Sequence, residues 1–171
     1  MIKTEDKLKK LAAILENGSS KAACKAIGLL REEPSFRGVI GLFASYYNKT
    51  DNSEIRKAIE EFLNDLKDQS VTKEVIAELR KQWKPETLSM LVSSCWQSGL
   101  DYSEYTLDFA EVFLRGDYVT AFECITLIEE TAHELSSETR EEVLKLLDRN
   151  PLSPGSEKAA LKSELLLILK R

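Results

Sequence analysis

The sequence predicts an all-α fold, an α-α superhelix of about five antiparallel helical hairpins stacked in chain order. Three observations predict it. The chain divides into about ten short segments whose apolar residues recur at the helical period. All four prolines fall between these segments or at their first turn, and no useful run of alternating polarity appears. Capped starts near Thr4, Ser35, Thr72, Ser103 and Ser137 recur roughly every 31–37 residues, the spacing of repeated helix pairs. With 171 residues the chain is expected to form one helical-repeat domain, residues 1–171.

Each segment has its own warrant. Thr4 opens the first, where Leu8, Leu11, Ala12 and Leu15 share a face, and Asn17-Gly18 ends it. Ser19 or Ser20 caps the second, with Ala23, Ala26, Ile27 and Leu30 inward and Pro34 beyond its end. Ser35 is the expected cap of the third, with Phe36, Val39, Ile40, Phe43, Tyr46 and Tyr47 inward. Ser53 opens the fourth, where Ile55, Ala58, Ile59, Phe62, Leu63 and Leu66 oppose a charged face. Thr72 opens the fifth, with Val75, Ile76, Leu79 and Trp83 in line. Pro85 suits the first turn of the sixth, whose stripe is Leu88, Leu91, Val92, Cys95 and Trp96. Ser103 opens the seventh. Asp117 opens the eighth, with Tyr118, Ala121, Phe122, Ile125 and Ile128 expected inward. Ser136 or Ser137 opens the ninth and Ser156 the tenth.

Gly28, Gly38 and Gly41 read as mid-helix glycines, each costing about 1 kcal/mol against alanine. Close contact between the second and third helices would offset that cost.

Composition narrows the function. Apolar residues at 43% and charged residues at 31% are ordinary for a folded, water-exposed domain. No run approaches the ~18 apolar residues of a membrane span. The charged opening stretch lacks the apolar core of a secretory leader, so the expected location is cytoplasmic. Cys24, Cys95 and Cys124 are isolated from one another and the chain has one histidine, His133. Neither a zinc site nor a Cys-His nucleophile pair fits those spacings. No catalytic constellation stands out, so the expectation is no enzyme, no cofactor and no metal.

Charge is unevenly placed. Between Asp101 and Glu142 lie 12 acidic residues and two basic ones, Arg115 and Arg140. Such a field repels phosphate backbones and makes nucleic acid a poor partner for this half. On the seventh helix, Asp101, Glu104, Asp108 and Glu111 project within roughly 80° of one another, and Glu123, Glu130 and Glu134 do the same on the eighth. Acids two turns apart on one face do not converge on an ion. The ridge is therefore either a solvated face or a docking strip for a basic protein or peptide, with Glu104, Asp108, Glu111, Glu123 and Glu130 as its members. Trp83, between Lys81 and Lys84, and one of the adjacent Tyr46 and Tyr47 are the candidate aromatic anchors, with Tyr47 the one chosen. The run Leu165-Leu166-Leu167-Ile168-Leu169 covers nearly the whole helix circumference, which calls for burial on several sides or a homodimer contact through the C-terminal helix.

Two stretches resemble known helical repeats. Ser53-Glu54-Ile55-Arg56-Lys57-Ala58-Ile59-Glu60-Glu61-Phe62-Leu63, with its polar cap, apolar residue, arginine and small residue, resembles the second helix of a HEAT repeat. Leu107 to Glu130, with Ala110, Phe113, Gly116-Asp117-Tyr118 and Ala121, is similar to the middle of a tetratricopeptide repeat. The HEAT/armadillo-like resemblance is preferred, and it implies an α-solenoid used as a non-enzymatic interaction scaffold. Two alternatives remain. A nucleic-acid binder resembling the helical-repeat DNA glycosylases would use Lys3, Lys7, Lys9, Lys10, Lys21 and Lys25. A self-associating structural subunit would use the leucine-rich end.

Overall fold

The computed structural model describes residues 2–171; Met1, with which the charged opening stretch begins, lies outside the described residues. Among those residues there are ten α-helices, three 3-10 turns and no strand, so the fold is all-α. The helices are α1 (Ile2–Asn17), α2 (Ser20–Leu30), α3 (Val39–Lys49), α4 (Ser53–Asn64), α5 (Thr72–Leu79), α6 (Pro85–Gln97), α7 (Thr106–Arg115), α8 (Tyr118–Thr131), α9 (Ser137–Arg149) and α10 (Lys158–Lys170). None is long and apolar enough to cross a membrane.

Polar caps set most starts. Ser19, Asn52, Asp117 and Ser136 each accept a backbone N–H from the first turn of α2, α4, α8 and α9. Other starts differ from the sequence reading: α1 begins at Ile2, ahead of the expected Thr4 cap, and Asn52 caps α4 in place of Ser53. Helix α3 begins at Val39 and not after Ser35, because Gly38 at φ 96 turns the chain into it. A Cβ there would lie 2.7 Å from Leu8 Cδ1, so the glycine serves both the left-handed backbone and the contact with α1. Residues 69–71 and 103–105 form 3-10 turns; the first leads into α5 at Thr72, where the sequence placed its opening, and the second delays α7 to Thr106, beyond the expected Ser103 cap. Of the three glycines read as close-packed, Gly41 lies against the Glu78 carboxylate, where a Cβ would sit 2.8 Å from Oε1. Gly28 faces open space.

The chain divides into two compact units, Met1–Leu100 and Asp101–Arg171. In the first, α1 packs on α3 and α3 on α5, while α2 packs on α4 and α4 on α6. Successive pairs α1/α2, α3/α4 and α5/α6 join the two rows. Direction within a row is fixed by polar contacts. The Ser20 hydroxyl donates to Glu54 Oε2 (2.9 Å) where α2 and α4 begin, and Arg31 reaches Glu61 (3.6 Å) and Asp65 (3.4 Å) where they end. These helices therefore run in the same direction. In the other row, Gly38 N–H donates to Glu74 Oε2 (3.2 Å) at the starts of α3 and α5, and Lys49 pairs with Glu16 at the ends of α3 and α1. The residues joined are 30–36 apart in sequence. Ile27, Ile40, Phe43, Ile59, Leu63, Ile76, Leu79 and Leu91 fill the space between the rows.

In the second unit, α7 packs on α8 and α9, and α10 on α8 and α9. Tyr102, Phe109, Phe113, Ile128, Leu147 and Leu165 form its core. Two cations close helix ends. The Lys158 ammonium donates to the carbonyls of Phe113 (2.9 Å), Leu114 (2.6 Å) and Gly116 (2.9 Å), satisfying the last turn of α7. Burial pushes this amine below its ordinary pKa, and the three carbonyl bonds oppose that shift. Arg140 donates to Leu169 O (2.9 Å) at the end of α10 and to Ala132 O after α8.

Candidate functional site

The residues named from the sequence do not come together as one surface. Tyr47 is a correction: it is 5% exposed, and its hydroxyl donates to Glu60 Oε1 (2.6 Å) while the Arg56 guanidinium stacks 4.8 Å from its ring centroid. Arg56 also donates to Thr50 O (2.8 Å), so it closes the end of α3 and roofs Tyr47 at once. Tyr46 is the more exposed of the adjacent pair. Trp83 lies beyond the end of α5, half-buried, with its indole N–H donating to Glu78 O (2.7 Å). Its position in the helical stripe Val75–Leu79 is therefore not kept.

The acidic ridge also divides. Asp101 precedes the 3-10 turn and spends its carboxylate on Ser103, whose hydroxyl and N–H hold it below the usual carboxylate range. Glu104 is exposed within that turn, not on α7. Asp108, half-buried, and Glu111, exposed, sit on α7, which shares a row with α9. Glu123, half-buried, and Glu130, exposed, sit on α8, which shares the other row with α10. The single arc of acids needed one unbroken helix from 101 to 111, and the turn at 103–105 removes it.

The eighth helix holds the larger surprise. Tyr118 and Phe122 were expected inward, yet they are 44% and 52% exposed, and Val119 is 56% exposed. The side of α8 turned to its neighbours carries Thr120, Ala121, Cys124, Ile125, Leu127 and Ile128. The sequence pattern does not decide between the sides, since from Tyr118 to Ile128 apolar residues cover most of the helix circumference. Among the described residues, the other exposed large apolar side chains are Leu29 on α2 and Leu167 on α10.

The leucine-rich end is mostly spent inside the second unit. Leu165, Ile168 and Leu169 are buried, Leu166 is half-buried, and Leu167 alone of the run is exposed. In the first unit Lys3, Lys7, Lys9, Lys10, Lys21 and Lys25 are all exposed, and Lys7 lies 5.5 Å from the Phe36 ring centroid. Cys95 and Cys124 are buried, Cys24 is half-buried, and none of the three is in a disulfide. Glu78 is buried against Gly41, with Oε1 accepting from Lys81 (2.9 Å) and Oε2 buried without a hydrogen-bond partner. Among the described residues no three His, Cys, Asp or Glu side chains gather where they could hold a metal ion.

Comparison with protein-family models, with curated proteins and with solved structures finds no match to this chain.

Proposed function

We propose that this chain is a non-enzymatic scaffold of the HEAT/armadillo-like kind, a superhelix of helical hairpins that binds another protein, with a basic segment as the favoured partner. The repeat part of the reading draws support from the same-direction neighbours of the first unit, joined at offsets of 30–36 residues. A tetratricopeptide-like repeat would share that offset. One observation carries the binding part: among the described residues, four of the five exposed large apolar side chains, Tyr118, Val119, Phe122 and Leu167, lie in the same unit as the acidic excess. Residues 101–171 hold 15 Asp and Glu against 8 Lys and Arg, a balance of −7, whereas residues 1–100 hold 14 against 16, a balance of +2. Apolar groups held in water beside like charges favour a partner that offers apolar anchors and positive charge. Three cysteines outside any disulfide suit a reducing compartment, and the cytoplasm is the proposed location.

The test is affinity purification with the tagged full chain from its source cells, followed by affinity measurement on the protein recovered. Glu104→Gln, Asp108→Asn and Glu111→Gln together should weaken binding several-fold at low salt and flatten its salt dependence. Unchanged affinity and salt slope would remove the acidic half of the proposal. Recovery of nucleic acid without protein would favour the lysine-bearing first unit instead.

A further inference from the structure

We infer that the outward face of α8 is a docking site for a cationic amphipathic helix of another protein; this deepens the scaffold reading above and rests on it.

The face has two parts in a fixed order. At ~100° per residue, Tyr118, Phe122, Thr126 and Val119 fall within one arc of about 100°, and Glu129, Glu130 and Glu123 fall within or beside the same arc. Along the axis the apolar groups come first and Glu129 and Glu130 last. From Tyr118 to Glu130 the strip is about 18 Å long, which three to four turns of a second helix would cover. The aromatics are not needed by the core, since the opposite side of α8 already meets α7 and α10.

Charge selects the occupant. Helix α8 holds three glutamates and no lysine or arginine. Arg171 reaches Glu129 at 3.4 Å from the end of α10, while Glu130 and Glu134 are exposed beyond it. His133, beside Glu134 at 3.5 Å, and Arg140, which donates to Ala132 O and Leu169 O, are the other basic groups at that end, against four glutamates at 123, 129, 130 and 134. The C-terminal end of the helix dipole adds negative potential at the same place. A partner with apolar residues at i, i+3 and i+4 against Tyr118, Val119 and Phe122, and lysines or arginines one to two turns further along, matches both parts. The same acids disfavour anionic lipid and nucleic acid.

The experiment uses the full chain and a fluorescently labelled 16-residue Leu/Lys peptide built as an amphipathic helix, with a scrambled peptide of identical composition as control. Fluorescence anisotropy should show binding at least about tenfold tighter for the amphipathic peptide than for the scramble. Tyr118→Ser with Phe122→Ser should weaken it by about tenfold or more, Phe122→Leu should largely keep it, and Leu29→Ser on α2 should leave it within about twofold. The substituted residues are exposed, and a thermal melt confirms that each variant stays folded. Equal binding of the scramble, or an unchanged affinity for the double-serine variant, overturns the α8 site. So does binding lost only on neutralising Asp108 and Glu111, an outcome that leaves the scaffold reading standing. A concentration-dependent dimer that the double-serine variant abolishes, with no peptide binding, assigns the face to a second copy and also overturns the proposal. Failure of the scaffold reading is seen separately, as the absence of any protein partner in the purification.

Discussion

Tyr47 and Lys158 show how single residues are placed by partners far away in sequence. The Tyr47 ring is closed in by Arg56, and its hydroxyl donates to Glu60, both on α4. Burial and the Glu60 carboxylate raise its pKa above the ordinary tyrosine value. The sign follows from linkage. Up to about pH 10 the tyrosine is neutral in both folded and unfolded chains, and its stabilising contribution is complete. As pH rises further the unfolded tyrosine ionises while the folded one keeps its proton, so that contribution is lost progressively. Tyr47→Phe is expected to cost roughly 1 kcal/mol at pH 7, since Glu60 can rehydrate, and to soften the fall in stability above about pH 10. Urea melts at pH 7 and about pH 10.5 measure both effects. A variant that loses stability more steeply than the parent at high pH would contradict it. Which of two adjacent tyrosines turns inward was not legible in the sequence. Both positions border the apolar stripe of α3, and the choice is made by an acid and a base on the next helix. Lys158 gave no signal at all, because nothing near it in sequence shows that it will meet the carbonyls at the end of α7.

At the scale of elements, the helices were legible and their edges less so. Strong stripes such as Ile55, Ile59, Phe62 and Leu63 fixed α4, and prolines fell at boundaries throughout. Where a short turn competes with a helical start, local pattern fails: Ser35 looks like a cap, but Gly38 sets the entry to α3. Helix α8 was found with its correct cap and with Ala121, Ile125 and Ile128 inward, yet Tyr118 and Phe122 face water, because apolar residues surround most of this helix and a polar/apolar pattern does not choose among them. The glycines make this difference measurable. Gly28 lies within α2 with nothing in the way of a Cβ, so Gly28→Ala should stabilise by about 0.5–1 kcal/mol through helix propensity and unfolded-state entropy. Gly38→Ala meets both a left-handed backbone and Leu8, and should destabilise by about 1–2 kcal/mol or more. Urea midpoints moving in opposite directions would bear this out; two shifts of the same sign would not.

At the scale of the whole chain, polar contacts in the first unit join residues 30–36 apart, whereas the five residues that carried the 31–37-residue spacing in the sequence do not cap helices: Thr4 lies inside α1, Gly38, Val71 and Ser136 take the places of Ser35, Thr72 and Ser137, and Ser103 lies in a 3-10 turn. The division at Leu100 and the sorting of acids into the second unit were not both visible: the charge imbalance was, whereas the separate cores depend on which apolar faces meet. Separate cores have an energetic consequence. Lys158 ties α10 to the end of α7 within the second unit only, and its replacement by methionine removes three carbonyl bonds, a loss of about 1–2 kcal/mol after the cost of burying the ammonium is set against them. Each unit has its own buried centre, so local opening should follow unit boundaries. In native-state hydrogen exchange, Lys158→Met is expected to reduce protection by roughly five- to thirtyfold in the amides of α7 to α10, while those of α2 and α4 keep theirs. An equal loss across all helices would mean that the chain opens as one cooperative body and that the two cores are not energetically distinct.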